Sequence, residues 1–189
     1  MDVKSLSDEQ LMSFLSKGNE SAFNELYKRY SNRILYFMFK MLHQDEAKAQ
    51  DLTQDIFIKL IEAVDRFDTS KSFKTWIFTI AANHCKNHFR QQNKQAVDHK
   101  PAENLQAFME DLHDKNLLQS SLNTEIDKLS SPYKETFLLR YSQDMKLKEI
   151  AEIMDCPLGT IKSRLNHATK ELSRNLTVYH SWITNKTEL

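Results

Sequence analysis

The cationic and amide side chains with the clearest chemical potential fall in two separate stretches of the chain. From Lys71 to Val97 there are five basic residues and no acid, and from Pro157 to Leu176 four basic residues accompany one acid. Such side chains bind phosphates and the edges of bases. Two basic stretches in a chain of zero net charge suggest two contacts with one polyanion, but the charge pattern alone favours solvated helix faces.

The first stretch mixes aromatic with polar side chains on a helix expected between residues 73 and about 92. Aromatic rings beside cations suit the stacking of unpaired bases and the backbone of a single strand. Phe73 and Trp76 taken alone also fit a buried helical stripe, which favours a role in the core. Three polar positions fall outside that stripe and are predicted to be exposed: Asn83, Asn87 and Arg90.

The second stretch contains the pattern of a helix-turn-helix. Leu147, Ile150 and Met154 form an apolar stripe, Ala151 is small where two helices cross closely, and Pro157 begins the next helix after a turn. The outer face of that helix is predicted to carry Thr160, Lys162, Ser163, Asn166, His167 and Lys170. This face suits the major groove of duplex DNA, and a plain helical hairpin with a polar outside is the alternative.

A metal enzyme or metal sensor is a weaker alternative. His84 and His88 are four apart on a predicted helix with Cys85 beside them, and such histidines can share a metal. No further ligand is placed, and zinc needs three or four. We expect His84 to be packed and His88 to lie at the surface, with no metal site, no cofactor and no catalytic residue. The chain has only Gly18 and Gly159 as glycines, which excludes the glycine-rich phosphate and dinucleotide loops.

The elements that position these residues are predicted to be helices throughout. Two glycines and three prolines in 189 residues are too few turn formers for a protein of tight hairpins, so the fold class is all-α. Ser7 or Asp8 is expected to cap a first helix that stops at Gly18, Ser21 to open a long second helix, and Asp45 to open a third. The inner face of the third helix is predicted to include Ala49, Leu52, Ile56, Phe57, Leu60 and Ile61.

Two small helical domains are expected, the second one a helix-turn-helix. The predicted boundaries are a first domain at 1–92, a linker at 93–120, a second domain at 121–178 and a tail at 179–189. The linker is expected to be flexible from about Asn93 to Leu105 and then to form a short helix that leads into the second domain. The sequence contains no apolar run of about 20 residues, so no membrane span is expected. Its N-terminal residues lack the basic start and following apolar stretch of a secretory signal. We expect a cytoplasmic location with reduced cysteines.

Five motifs in order make the sequence resemble the extracytoplasmic-function sigma factors, the small two-domain members of the sigma-70 family of bacterial transcription initiation factors. They are AFNELYKRYSNRI (Ala22–Ile34), AQDLTQDIFIKL (Ala49–Leu60), FKTWIFTIAANHCKNHFR (Phe73–Arg90), LSSPYKETFLLRY (Leu129–Tyr141) and KEIAEIMDCPLGTIKSRLNHATKEL (Lys148–Leu172). The resemblance implies a subunit that binds core RNA polymerase and directs promoter-specific initiation without catalytic activity. The alternative is an autonomous helix-turn-helix regulator, which has no need for the aromatic and basic helix.

The resemblance also implies where the partners bind. Asp51, Leu52, Asp55 and Phe57 would dock the mostly basic β′ coiled coil of the polymerase, and Leu129–Tyr141 would help to dock the β flap. An anti-sigma factor is a further expected partner. The expected minus-ten residues, which read melted strand, are Phe67, Asp68, Lys71, Ser72, Lys74, Trp76, Asn83, Lys86, Asn87 and Arg90.

The resemblance assigns the minus-thirty-five element to the second helix of the helix-turn-helix. The expected contacts to duplex DNA there are Leu158, Gly159, Thr160, Lys162, Ser163, Arg164, Asn166, His167 and Lys170. The family often has a glycine in the turn, where this chain has Asp155. Because aspartate tolerates the left-handed conformation, the turn is expected to form.

Overall fold

The computed structural model of the chain describes residues 3–95 and 116–186. Within those ranges the regular structure is helical, and no strand occurs, which confirms the all-α prediction. The helices are α1 (Asp8–Leu15), α2 (Glu20–Met41), α3 (Glu46–Glu62), α4 (Phe73–Gln95), α5 (Asn116–Lys128), α6 (Ser131–Phe137), α7 (Leu147–Met154) and α8 (Leu158–Lys186). Short 3-10 turns occur at Val3–Ser5 and Val64–Arg66, and a π-helical turn at Leu138–Ser142.

The chain divides into two compact units. Helices α1–α4 belong to the first, and α5, α6, the larger part of α7, and α8 belong to the second. The dividing point falls between α4 and α5, in the predicted linker, most of which lies outside the described residues. Helix α4 continues past residue 92 to Gln95, and α8 continues to Lys186, through much of the segment expected to be a tail.

Short side chains at the predicted boundaries start the helices of the first unit. Ser7 caps α1 in a capping box, in which its Oγ accepts from the Gln10 backbone N–H at 3.2 Å and the Gln10 side chain accepts from the Ser7 N–H at 2.9 Å. Asp45 caps α3, as predicted. The expectation for Ser21 is wrong, because Asn19 caps α2 by accepting from the Ala22 N–H at 3.1 Å.

Helix α2 forms the centre of the first unit, because α1, α3 and α4 all pack against it. Its buried stripe includes Leu26, Tyr30, Ile34, Phe37 and Met38. The ring of Phe37 meets Phe78 of α4 edge-on at 5.6 Å, and that of Tyr30 meets Phe73 at 5.0 Å. These contacts fix α4 against α2 and so determine which of its faces stays open.

A polar cluster attaches the N-terminal segment to α2. The Arg29 guanidinium donates to the Asp8 carboxylate at 2.8 Å, to Glu25 at 2.8 Å, and to the backbone oxygens of Leu6 and Lys4 at 2.9 and 2.8 Å. The Tyr30 hydroxyl donates to the second oxygen of Asp8. Burial, followed by the bond to Asp8, raises the pKa of Tyr30 well above its usual range.

The second unit buries charged groups as well as an apolar core. Its core includes Leu138, Met145, Ile150, Ile161 and Leu172. The ammonium group of Lys134 on α6 is paired with Asp127 of α5 at 3.0 Å, and the Lys134 side chain is only 2% exposed. Glu125 of α5, also buried, accepts from Lys128 at 2.7 Å and from the amide of Asn175 on α8 at 2.7 Å. These bonds tie α5 to α6 and to the later part of α8.

The segment Leu129–Tyr141 is not one regular α-helix. Pro132 occupies the first turn of α6, as predicted, but α6 ends at Phe137 and a π-helical turn follows. The turn closes where the Gln143 N–H donates to the Leu138 oxygen at 3.1 Å and Arg140 donates to the Met145 oxygen at 2.8 Å. It leaves Tyr141 57% exposed.

Candidate nucleic-acid interface

The exposed face of α3 carries the acids expected to bind a partner protein. Asp51 and Asp55 are both exposed and four apart, so they lie on the same side of the helix. Leu52 is 8% exposed and Phe57 is 4% exposed, and the ring of Phe57 lies 4.7 Å from that of Tyr27 on α2. These two residues therefore hold α3 in place, and Asp51 and Asp55 are the accessible members of the expected set.

Apolar side chains beside these acids were missed by the sequence reasoning. Ile58 is 53% exposed and Ile61 is 50% exposed, and Tyr27 on α2 is also exposed. The prediction that Ile61 faces the core is wrong, because the packed neighbours of α3 cover a narrower stripe than its apolar pattern suggests. The spacing of Asp51, Asp55 and Ile58 at steps of four and three was the available signal for a mixed acidic and apolar face.

Polar and cationic side chains line the open face of α4. Asn83, Lys86, Asn87 and Arg90 are all exposed and recur at helical spacing along one side. No acid occurs anywhere in this helix. Lys74 stands about two and a half turns before Asn83, on the opposite side of α4. The structure therefore brings together the four later residues of the expected set and separates Lys74 from them.

Two aromatic rings meet where the preceding loop joins α4. The ring of Phe67 lies 5.2 Å from that of Trp76 and 6.0 Å from that of Phe73, in edge-on arrangements. Phe73 is fully buried, whereas Phe67 and Trp76 are half-buried. Phe73 thus belongs to the core, as its spacing suggests, and Phe67 with Trp76 forms a partly open aromatic surface.

Hydrogen bonds hold the loop between Phe67 and α4 in one shape. The Asp68 carboxylate accepts from the Ser70 N–H at 3.0 Å and from its hydroxyl at 2.7 Å, and these bonds lower the pKa of Asp68. Ser72 Oγ accepts from the Thr75 N–H at 3.2 Å at the start of α4. Asp68 and Ser72 therefore shape the loop, while Lys71 stays exposed beside them.

An open groove of about 660 Å³ runs between this loop and α1. The loop side is lined by residues 69–72 and the other side by Ser7, Glu9, Gln10 and Ser13. Glu9 also accepts from the Phe73 N–H at 3.0 Å, which attaches the loop to α1. Sequence reasoning missed the contribution of α1, since nothing in the local pattern joins residues some 60 positions apart.

The turn between α7 and α8 has the geometry of a helix-turn-helix. Asp155 has a φ of 49°, in the left-handed region, which confirms the expected tolerance of aspartate at this position. The Cys156 N–H donates to the Ala151 oxygen at 3.1 Å, and Pro157 accepts from the Thr160 N–H at 2.9 Å. Ile150, Met154 and Ile161 are buried. The turn therefore joins two helices whose apolar side chains are buried, and α8 begins directly after it.

The outer side of α8 is polar and cationic. Exposed there are Gly159, Lys162, Ser163, Asn166, His167 and Lys170. Thr160, Leu158 and Arg164 are half-buried at the edges of this face, and Arg164 donates to the thiol sulfur of Cys156 at 3.7 Å. A Cβ atom added at Gly159 would have no neighbouring atom within 4 Å, so the helix surface at this position is accessible.

The histidine and cysteine group on α4 serves packing. Cys85 is buried, with its sulfur 3.6 Å from that of Met38, and His88 lies against the ring of Phe89. Across residues 3–95 and 116–186, no three potential ligands come together as a metal site would require. The ranges that the structure describes also contain no helix long and apolar enough to cross a membrane.

Comparison with known proteins matches two family regions, one in each part of the chain. The model of the Sigma-70 region 2 family matches residues 26–95, which carry α2, α3 and α4, and that of Sigma-70 region 4 matches residues 120–172, which include the helix-turn-helix. The RNA polymerase sigma-H factor of Pseudomonas aeruginosa is 28% identical over 89% of this chain and 93% of its own length. The ECF RNA polymerase sigma-E factor of Escherichia coli is 30% identical over 90% of this chain and 95% of its own.

Solved structures share the fold. CnrH, in complex with the cytosolic domain of CnrY, aligns with a TM-score of 0.68 at 21% identity over 90% of this chain and 97% of that one. RpoE of Bartonella quintana, in complex with the anti-sigma factor NepR, aligns with a TM-score of 0.65 at 23% identity over 82% and 97%. With both family regions in order and a relative matched over nearly its whole length, the chain belongs to the ECF sigma factors, non-enzymatic subunits that direct transcription initiation by RNA polymerase.

Proposed function

We propose that this sigma factor reads its promoter by two physical mechanisms, one in each unit. The acid-free face of α4 and the adjoining loop bind the minus-ten element as melted strand, and the outer face of α8 binds the minus-thirty-five element as duplex. The exposed face of α3 binds core RNA polymerase. The observation that carries this proposal is the open face of α4, because a protein that reads duplex alone does not need aromatic rings beside a cationic helix face.

The single-strand assignment is supported by the half-open rings of Phe67 and Trp76. A base that leaves its stack can regain stacking on such a surface. The groove beside residues 69–72, which these two rings do not line, is a second place with room for an extruded base. Lys86 and Arg90, one and two turns beyond Asn83, supply charge for the backbone of that strand. Asn83 provides both donor and acceptor groups for a base edge.

The duplex assignment is supported by the shape of α8. The exposed side chains of its first turns include cations, an amide and a hydroxyl. An α-helix fits the major groove, where these groups distinguish base pairs. Lys162 lies in the middle of this face and is the residue from which we expect the largest single effect.

The polymerase assignment is supported by the charge and exposure of α3. Asp51 and Asp55 present negative charge to a mostly basic coiled coil, and Ile58 and Ile61 offer apolar area beside them. Tyr141 and the π-helical turn leave a second exposed surface, which we assign to the β flap.

An anti-sigma factor is the further partner that we propose. CnrH and RpoE of Bartonella quintana were both solved in complex with a partner protein, in the second case an anti-sigma factor. We place the protein in the cytoplasm, where core RNA polymerase acts. If an anti-sigma factor binds here, adding it to a transcription reaction should inhibit initiation, and an excess of this sigma factor should reverse the inhibition.

In vitro transcription with core polymerase tests the proposed function. Specific transcripts should appear from promoters with suitable elements only when this protein is added. Lys162→Ala should weaken holoenzyme binding to a duplex minus-thirty-five element by about 1–3 kcal/mol if a base contact is lost. Lys28→Ala, at an exposed position on α2, is the matched control and should bind normally. Tight, specific duplex binding by the free protein together with an absence of polymerase-dependent transcripts would favour the autonomous regulator.

A further inference from the structure

One side chain of the proposed duplex-reading face has a fixed aromatic neighbour. The imidazole of His167 on α8 and the ring of Tyr133 on α6 are stacked, with their centroids 5.8 Å apart and their planes 12° from parallel. His167 is exposed and Tyr133 is half-buried. The Tyr133 ring therefore lies against part of one face of the imidazole, while the His167 side chain as a whole stays exposed.

The Tyr133 ring stands on a rigid element. The Tyr133 and Lys134 N–H groups both donate to the Ser130 oxygen at 2.9 Å at the start of α6. The next residue, Lys134, is buried and paired with Asp127 of α5. Helix α6 also packs along α8. With its helix held on two sides, the Tyr133 ring has little freedom to move away from His167.

The position of His167 along α8 places it at the border of the reading face. It follows Ser163 by one turn and precedes Lys170 by one turn, and all three are exposed. A free histidine on a helix surface would sample several rotamers and lose that freedom on binding DNA. Stacking on Tyr133 removes much of this freedom before DNA binds.

We propose that Tyr133 is a positioning residue that holds the His167 imidazole so that a ring N–H donates to the N7 atom of one purine in the minus-thirty-five element. The proposal rests on the assignment of α8 to that element. A neutral imidazole has one N–H donor in its ring plane. In the major groove adenine and guanine both present N7 as an acceptor, whereas pyrimidines lack it. The pair Tyr133–His167 therefore selects a purine over a pyrimidine at one position.

The test uses holoenzyme and promoter duplexes in which a purine analogue with carbon in place of N7 is placed at one position at a time. The parent protein should lose affinity by about two- to tenfold at one position of the minus-thirty-five element. His167→Ala should show the same loss on unmodified DNA and no further loss with the analogue at that position. If no position in the element has this dependence on His167, the side chain contacts a phosphate or nothing, and the proposal is overturned.

The contribution of Tyr133 is tested by its coupling to His167. Tyr133→Leu keeps apolar bulk but removes the flat ring, and Tyr133→Phe keeps the ring. The leucine variant should weaken binding and lose the purine preference, the phenylalanine variant should retain both, and neither substitution should matter in a His167→Ala background. An equal effect of Tyr133→Leu with and without His167 would mean that Tyr133 only stabilises the fold, which would overturn its positioning role.

Lys162→Ala separates failure of this inference from failure of the proposed function. If Lys162→Ala binds the minus-thirty-five element as tightly as the parent, the assignment of α8 itself is wrong. If Lys162→Ala weakens binding while the analogue scan and the Tyr133 variants show no effect, α8 reads the element and only the role of the Tyr133–His167 pair is overturned.

Discussion

At the scale of single residues, Asp155 shows how one backbone conformation supports a recognition element. Its φ of 49° is tolerated by aspartate and by glycine, and is costly for a β-branched residue. Asp155→Gly should leave the stability of the helix-turn-helix unchanged or slightly raised, whereas Asp155→Val should lower the free energy of unfolding by about 1–3 kcal/mol. Urea denaturation followed by circular dichroism measures both.

The control is Glu152→Val, which also replaces an acid by valine but at an exposed position within α7. It should cost only about 0.5 kcal/mol through helix propensity. If Asp155→Val were no more destabilising than this control, the left-handed turn would not be the source of strain.

His84 is a residue whose environment gives the first unit a pH dependence. Burial, followed by the charge of Lys59, lowers the pKa of His84, and its Nε2 atom is buried without a hydrogen bond to any described group. Below a pH of about 6.5 His84 becomes protonated more readily in the unfolded chain than in the folded chain. The free energy of unfolding should therefore fall as the pH drops. His84→Leu should flatten this decline below about pH 6.5, as measured by urea midpoints. Parallel pH profiles for the parent and the variant would contradict it.

At the scale of the element, α3 presents acids and isoleucines together on one exposed face. Replacing Asp51 and Asp55 by lysine should weaken core polymerase binding by on the order of several kcal/mol, because like charges would then face a mostly basic coiled coil. Pull-down with core polymerase measures the loss, and circular dichroism should show an intact fold. The matched reversals Glu20→Lys and Asp65→Lys, at exposed positions off α3, should bind normally. Equal binding by the Asp51 and Asp55 replacement and by the two control reversals would remove α3 from the interface.

The α4 face is expected to act only after the DNA strands separate. Asn83→Ala should leave duplex binding nearly intact and reduce promoter opening, because contacts to an extruded base stabilise only the open complex. Taking a base out of its stack costs free energy, and a mismatched bubble in the template removes most of that cost in advance. On such a template Asn83→Ala should gain less affinity than the parent. Asn24→Ala, on an exposed part of α2, is the matched control. Permanganate footprints that show normal opening by Asn83→Ala would exclude this residue as a reader.

At the scale of the whole molecule, the division into two units predicts two separately resistant fragments. The polar composition of residues 93–105 predicts that a protease cuts there first. Limited proteolysis of the full chain, followed by mass spectrometry, should release one fragment with α1–α4 and one with α5–α8. Early cleavage inside α2 or α8, with the polar segment intact, would contradict independent folding.

Features that depend on a few neighbouring residues could be predicted from the amino-acid sequence. Four such features depend on local backbone chemistry and were predictable for that reason. They are the caps at Ser7 and Asp45, the proline at the start of α6 and the left-handed conformation of Asp155. Helical periodicity and the scarcity of glycine predicted the all-α class for the same reason.

Which side chains remain exposed, and which residues distant in the sequence make contact, depends on the tertiary structure. Periodicity places Phe57 and Ile61 on similar sides of α3, yet packing against α2 buries the first and leaves the second exposed. The groove beside the loop needs α1, and the stack of Tyr133 on His167 joins α6 to α8 across the intervening π-helical turn and α7. Such contacts depend on how helices cross, and the crossing is set by the shapes of both surfaces, which no local pattern contains.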